Sequence, residues 1–276
     1  MLGLNPKAES CCVTTIKVIY IRCVDKPFRE ADAKVGGYHG YESIRPSSLE
    51  YEMYFCQYLQ HVDSFIYFSH KLVCCPPPTW TNTLHRNGVK AFGTFIIEAG
   101  TLGVERILEV ENGKYWVAVQ LARMANALGF DGWLLNFERS FSFFTEDPLE
   151  RLLDFVQDLK SALGPEGDVI WYDALNDENK VDYQNTLGAH NVEFARAAGA
   201  LFTNYKWTET ELASAKVAAQ WYRVNKEEVY FGIDMWAQNT NVKGPERITY
   251  PEQGGGGTLT GLVKLSLTEN ALTDGL

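Results

Sequence analysis

Asn136 and Glu138 are the pair in this chain best placed for chemistry. They are an amide and a carboxylate two positions apart, at the end of the run FDGWLLNFE over residues 130–138. On a β-strand alternate side chains share a face. Phe130, Gly132, Leu134, Asn136 and Glu138 are therefore expected on one side, and Asp131, Trp133, Leu135 and Phe137 on the other. A strand with both faces covered is typical of a parallel sheet in an α/β protein, where polar groups emerge at the C-terminal ends of the strands. A carboxylate emerging there is a candidate catalytic acid. Its plainer roles are to cap the next helix or to pair with Arg139, and Asn136 could equally satisfy a loop backbone.

Several elements must position such a pair. Strands are predicted over residues 64–69, 89–97, 130–138, 169–173, 200–205 and 229–234, with a weaker one over 17–23. Helical patterns fall between them, over 115–128, 149–163, 194–198 and 210–224. The helix over 149–163 carries Leu152, Leu153, Val156, Leu159 and Leu163 on one stripe, and Pro148 stands near its start. Helices alternating with strands predict an α/β fold, and a (β/α)8 TIM barrel better than an open doubly wound sheet. The predicted strand ends present Ser69 and His70, Glu98, Asn136 and Glu138, Tyr172 and Asp173, Asn204 to Trp207, then Asp234 and Trp236. Such a polar and aromatic ring has the composition of a carbohydrate site, although His70 has a structural hydrogen-bonding role as its even alternative. The glycine run 254–257 reads as an active-site loop or a linker, since no phosphate-binding Lys-Ser or Lys-Thr follows it.

The chain has 276 residues, 46% of them hydrophobic, enough to bury a large core. A net charge of −10 without a basic cluster argues against a nucleic-acid partner. Seven Trp and fourteen Tyr suit sugar faces as well as core packing. The cysteines, Cys11, Cys12, Cys23, Cys56, Cys74 and Cys75, all lie in the first third of the chain, and adjacent pairs bridge only with strain. Reduced thiols and a cytoplasmic location are expected. The stretch 13–24 is broken by Lys17 and Arg22, so neither a signal peptide nor a membrane span is expected. The five His are scattered, and no metal or other cofactor is expected.

An ordered series of motifs resembles the endo-β-N-acetylglucosaminidases of glycoside hydrolase family 85. SFIYFSH (64–70), PPPTWTN (76–82), HRNGV (85–89) and GTF (93–95) are similar to the family's front half. FDGWLLNFE (130–138), IWYD (170–173), YQN (183–185), His190-Asn191, NYKW (204–207) and GID (232–234) are similar to its later motifs. The resemblance implies a barrel enzyme that cuts between the two core N-acetylglucosamines of N-linked glycans, on glycopeptides or free oligosaccharides. It also implies substrate assistance through an oxazoline, and transfer to sugar acceptors. It gives Glu138 the acid and base role, makes Asn136 the group that orients the acetamide, and has Tyr172 bond the acetamide or oxazoline. Trp207 would supply a stacking face; Asn204, Tyr205, Glu98, His70, Tyr183, Asp234 and Trp236 would contact substrate. The related chitinase pattern Asp-Gly-x-x-x-Asp-x-Glu has Asp where this chain has Asn136, which favours the core-glycan enzymes. Departures are also visible. Residues 1–35 diverge, the barrel domain over 36–276 is expected to lack the usual final strand, Lys71 replaces a common His, and Tyr183 replaces a common Trp. The alternative reading is accordingly a truncated or degenerate relative that binds glycans without cutting them.

Overall fold

The structure, a computed structural model, describes residues 19–23, 59, 62–141 and 148–232. Strand β1 spans Ile19–Cys23, β2 Ser64–Phe68, β3 Val73–Cys74 and β4 Lys90–Ile97. After them come β5 Val110–Glu111, β6 Lys114–Tyr115, β7 Gly132–Phe137, β8 Asp168–Tyr172, β9 Leu201–Phe202 and β10 Val229–Tyr230. The helices are α1 Pro78–Arg86, α2 Trp116–Leu128, α3 Pro148–Leu163, α4 Val192–Ala198 and α5 Glu209–Tyr222. The main sheet runs β1-β2-β4-β7-β8-β9-β10, with every neighbouring pair parallel. Strand order therefore follows chain order, and from β2 onward a helix makes each crossover that parallel pairing requires. This is a wall of consecutive β/α units, consistent with an incomplete TIM-like barrel among the described residues.

The local chemistry explains the boundaries. Gly129 ends α2 in the left-handed region at φ 72°, its N–H donating to the Ala125 carbonyl at 2.8 Å. Thr208 and Glu211 form a capping box that starts α5. Gly132 opens β7 because a Cβ there would stand 1.9 Å from the Asp168 carbonyl oxygen. Asp131, just before it, accepts from the Ala91 N–H at 2.6 Å and bonds His85 Nε2 at 2.8 Å, which pins the start of β7 to β4 and α1.

The sheet's two faces are filled differently. The outer face and the helices share one large core that includes Phe95, Trp133, Leu135, Phe137, Phe155, Trp171 and Phe194. Within it Phe137 stacks on Trp171 at 5.1 Å between ring centroids, and Trp171 on Phe194 at 4.1 Å. The inner face carries a smaller core, with Ile66, Phe92, Leu134, Ile170 and Phe202 each contributed by a different strand. That layered filling is how a barrel interior is packed. Alternation along β7 follows the expectation except at Phe130. That residue precedes the strand and packs edge-on to Trp133 at 5.1 Å in the outer core.

Short elements are where expectation and structure diverge. The predicted strand 200–205 is regular only over Leu201–Phe202, after which the chain leaves the sheet as a polar loop. The helix over 116–128 buries Ala118, Leu121, Ala122 and Ala125, whereas Leu128 at its C-terminal end is 40% exposed.

Candidate active site

The C-terminal ends of β7, β8 and β9 bring five of the expected residues together. Asn136 sits inside β7 opposite Ile96 of β4, only 3% exposed. Glu138 follows the strand, its N–H donating to the Ile97 carbonyl at 2.7 Å, and this bond keeps the strand direction through the carboxylate. The Asn136 amide nitrogen donates to Glu138 Oε1 at 3.1 Å. Because a carboxylate accepts, this bond fixes which end of the amide is nitrogen. The other end, Oδ1, is a buried acceptor with no hydrogen-bond partner. Such a group is costly to leave unmatched and is commonly found where a ligand completes it. Neighbouring Arg139 does not bridge to Glu138 in the manner of a surface pair; its guanidinium donates to the Thr101 carbonyl.

Phenols surround the carboxylate. Tyr172 ends β8 on the inner face and is 7% exposed, with its ring 5.8 Å from Phe202 and 6.2 Å from Tyr183. The Tyr205 phenol lies beside that of Tyr172, and the Tyr183 phenol lies beside the Glu138 carboxylate. Burial, then the nearby Tyr205 and Glu138, pushes Tyr172 above the ordinary tyrosine range. Burial and the Glu138 charge push Tyr183 up to about 12. Both phenols remain neutral O–H donors at any working pH. The assembled groups are one carboxylate, one unmatched acceptor and several hydroxyl donors against apolar walls. They suit a neutral polyhydroxylated ligand undergoing proton transfer.

The remaining expected residues are placed variously. His70 Nδ1 lies 2.9 Å from Glu98 Oε1, a partly exposed pair at the ends of β2 and β4, beside β7. Asn204 turns its Oδ1 to the Tyr205 N–H at 2.8 Å. Trp207 is buried at 5% exposure, its indole N–H donating to the Gly232 carbonyl at 2.6 Å and its ring edge-on to Phe231. Asp234 and Trp236 lie outside the described residues.

One constellation was not singled out from the sequence. Asp173, 2% exposed, accepts from Asn191 Nδ2 at 2.8 Å and from the Asn185 N–H at 2.7 Å. Burial pushes its carboxyl up to about 6 despite these donors. The signal was present as three polar residues, Asp173, Asn185 and Asn191, inside the motifs that follow β8. Loops are joined by further amides. Asn179 exchanges two hydrogen bonds with the Phe141 backbone, at 2.9 and 3.0 Å, and the Lys206 N–H donates to Asn185 Oδ1 at 3.0 Å.

Comparison with known proteins identifies the family. The sequence model of glycosyl hydrolase family 85 matches residues 38–271. Cytosolic endo-beta-N-acetylglucosaminidase 1 of Arabidopsis thaliana is 40% identical over 185 residues, covering 65% of this chain and 26% of the relative. The cytosolic endo-beta-N-acetylglucosaminidase of Danio rerio is 35% identical over 216 residues, covering 76% of this chain and 30% of the relative. The chain thus spans between a quarter and a third of the length of these relatives. Among solved structures, the glycoside hydrolase domain of Endo-D from Streptococcus pneumoniae superposes with a TM-score of 0.68 at 22% identity. That match covers 87% of this chain and 38% of that one, and establishes the shared fold. With the family match spanning most of its length, the chain belongs to glycosyl hydrolase family 85.

Proposed function

We propose that this chain forms the catalytic barrel of an endo-β-N-acetylglucosaminidase. Its reaction is hydrolysis of the β-1,4 bond between the two core N-acetylglucosamines of N-linked glycans. The observation that carries the reading is the Asn136–Glu138 pair, with its amide nitrogen on the carboxylate and its carbonyl oxygen buried and unmatched. An acetamido N–H of the substrate would meet that oxygen. The bond would strengthen as the acetamide becomes a charged ring, so it favours the transition state over the bound substrate.

In this mechanism Glu138 donates a proton to the glycosidic oxygen while the substrate's own acetamide oxygen attacks the anomeric carbon. The bond from that carbon to the leaving sugar breaks, and an oxazoline forms. Tyr172, a neutral donor at the end of β8, bonds the acetamide oxygen or the oxazoline. Glu138, now a carboxylate, takes a proton from water as the water attacks the anomeric carbon. Ring opening restores the acetamide with the β configuration retained. A sugar hydroxyl in place of water gives transglycosylation. No nucleophilic carboxylate and no metal is needed.

The names of the relatives support N-glycans, glycopeptides or free oligosaccharides as substrates and the cytosol as the location. The Endo-D likeness supports a (β/α)8 barrel fold, of which the described residues form an incomplete part. The catalytic unit is read as residues 36–276 together with β1, which pairs with β2 as the sheet's first strand.

Mass spectrometry of glycans released from a high-mannose glycopeptide tests the reading, with Glu138→Gln alongside and folding checked by circular dichroism. Release of a glycan ending in one N-acetylglucosamine by the parent and not the variant is expected. A folded parent that releases nothing would leave the non-cutting glycan binder as the better account.

A further inference from the structure

We infer that Asp173 is a positioning residue that sets the reach of Tyr183 to Glu138 by clamping the loop after β8. The inference rests on the catalytic reading of Glu138 above. Asp173 directly follows Tyr172 at the end of β8 but does not point into the site. Its carboxylate is buried and accepts from the backbone N–H of Asn185 and from the Asn191 side chain. Tyr183 stands two residues before Asn185, whose Nδ2 donates to the Tyr183 carbonyl at 3.0 Å; the Tyr183 ring lies 6.2 Å from Tyr172 and its phenol beside Glu138.

The clamp is braced on both sides. Asn191 Nδ2 also donates to the Thr186 carbonyl at 2.8 Å, and its Oδ1 accepts from the Gly188 N–H at 2.9 Å, so the returning end of the loop is held by the same side chain. Asn185 adopts φ 55°, a left-handed conformation that Asn tolerates better than most residues, and sends its Oδ1 to the Lys206 N–H. The β8–α4 loop is thereby fixed to the loop carrying Tyr205, the neighbour of Tyr172. A buried carboxylate holding a backbone amide and a side-chain amide gives rigid placement, because removal of either acceptor oxygen strands a desolvated donor. Positioning to within a fraction of an ångström is what proton transfer requires, and an error near 1 Å in a reacting group is worth on the order of 10²-fold in rate.

The test is a double-mutant cycle of Asp173→Asn and Tyr183→Phe, read as kcat and KM on a high-mannose glycopeptide and as thermal unfolding. Asp173→Asn is expected to lower kcat roughly tenfold with KM within about twofold, and Tyr183→Phe to do the same. The double variant should be no slower than the slower single one, because both remove the same contact. Multiplying effects, or an unchanged kcat in a folded Asp173→Asn protein, would overturn the proposal. Asn191→Ala, which keeps the carboxylate and removes one donor, takes its place should Asp173→Asn not fold, with a smaller drop in kcat expected and no drop overturning the idea. The Tyr183 ring resonances, assigned by their loss in Tyr183→Phe, report the clamp without catalysis. They should move in Asp173→Asn if it positions Tyr183, and unchanged resonances count against it even where the parent proves unable to cut glycans.

Discussion

Adjacent residues of the same strands lead opposite lives in this molecule. On β7 and β8, Phe137 and Trp171 face outward into a dry aromatic stack that ends on Phe194, while Asn136 and Tyr172 face inward to a polar cluster around Glu138. The outer face is filled to close contact. The inner face keeps a buried acceptor unmatched and several hydroxyls gathered around one carboxylate. The difference shows a division of labour across one layer of backbone: the packed side fixes where the strand ends stand, and the polar side uses that placement.

Substitutions should separate the two faces cleanly. The largest effect is expected at Glu138→Gln, with turnover of a glycopeptide falling by about 10²–10⁴-fold and unfolding free energy changing by about 0.5 kcal/mol or less. An activity loss matched by a loss of stability would erase the contrast. On the outer face Trp171→Ala should destabilise by roughly 3–5 kcal/mol in chemical denaturation, through the cavity left between Phe137 and Phe194. Trp171→Phe should be milder, since the indole N–H is itself buried without a partner and its removal offsets part of the lost packing.

A pH titration of stability sharpens the boundary between the faces. Burial raises the Asp173 carboxyl from 3.8 to about 6, so the folded state holds a proton there that the unfolded chain releases. The stabilising contribution is full below about pH 4 and is lost as pH rises through about 6, a decrease on the order of 1–3 kcal/mol that Asp173→Asn should abolish. Denaturation curves between pH 4 and 7 for the two proteins check it. The smallest effect belongs to the exposed ion pair of Lys90 with Asp168, 2.5 Å apart at the other end of the sheet. Lys90→Ala should change stability by about 1 kcal/mol or less, and less still in high salt.

The sequence made the long elements readable because their burial is one-sided and periodic. The helix over 149–163 was predicted within a residue of Pro148–Leu163, and the run 130–138 contained β7 with its inner and outer sets correctly divided from Gly132 onward. The short strands were less legible. β3, two residues long, runs antiparallel to β4 without an alternation to announce it, and the β5–β6 hairpin is likewise too brief for a period. At the site, Asn136, Glu138 and Tyr172 could be placed together because strand ends converge in a barrel. The approach of Tyr183 to Glu138 and the Asp173 clamp could not be derived from spacing, since both depend on how a loop folds back on itself. Trp207 illustrates the same limit: its motif position was visible, while its burial against Phe231 is a matter of tertiary packing.

The amide clasps between loops bear on redesign of substrate preference. Phe141 and Asn179 hold the segments after β7 and β8 to each other, and Asn185 and Lys206 hold the latter to the segment after β9. Grafting any one of these segments from a relative would sever a clasp at its unaltered neighbour. They form a single transplantable cassette, and chimaeras that exchange it whole are the ones whose altered glycan choice can be attributed to the surface they present.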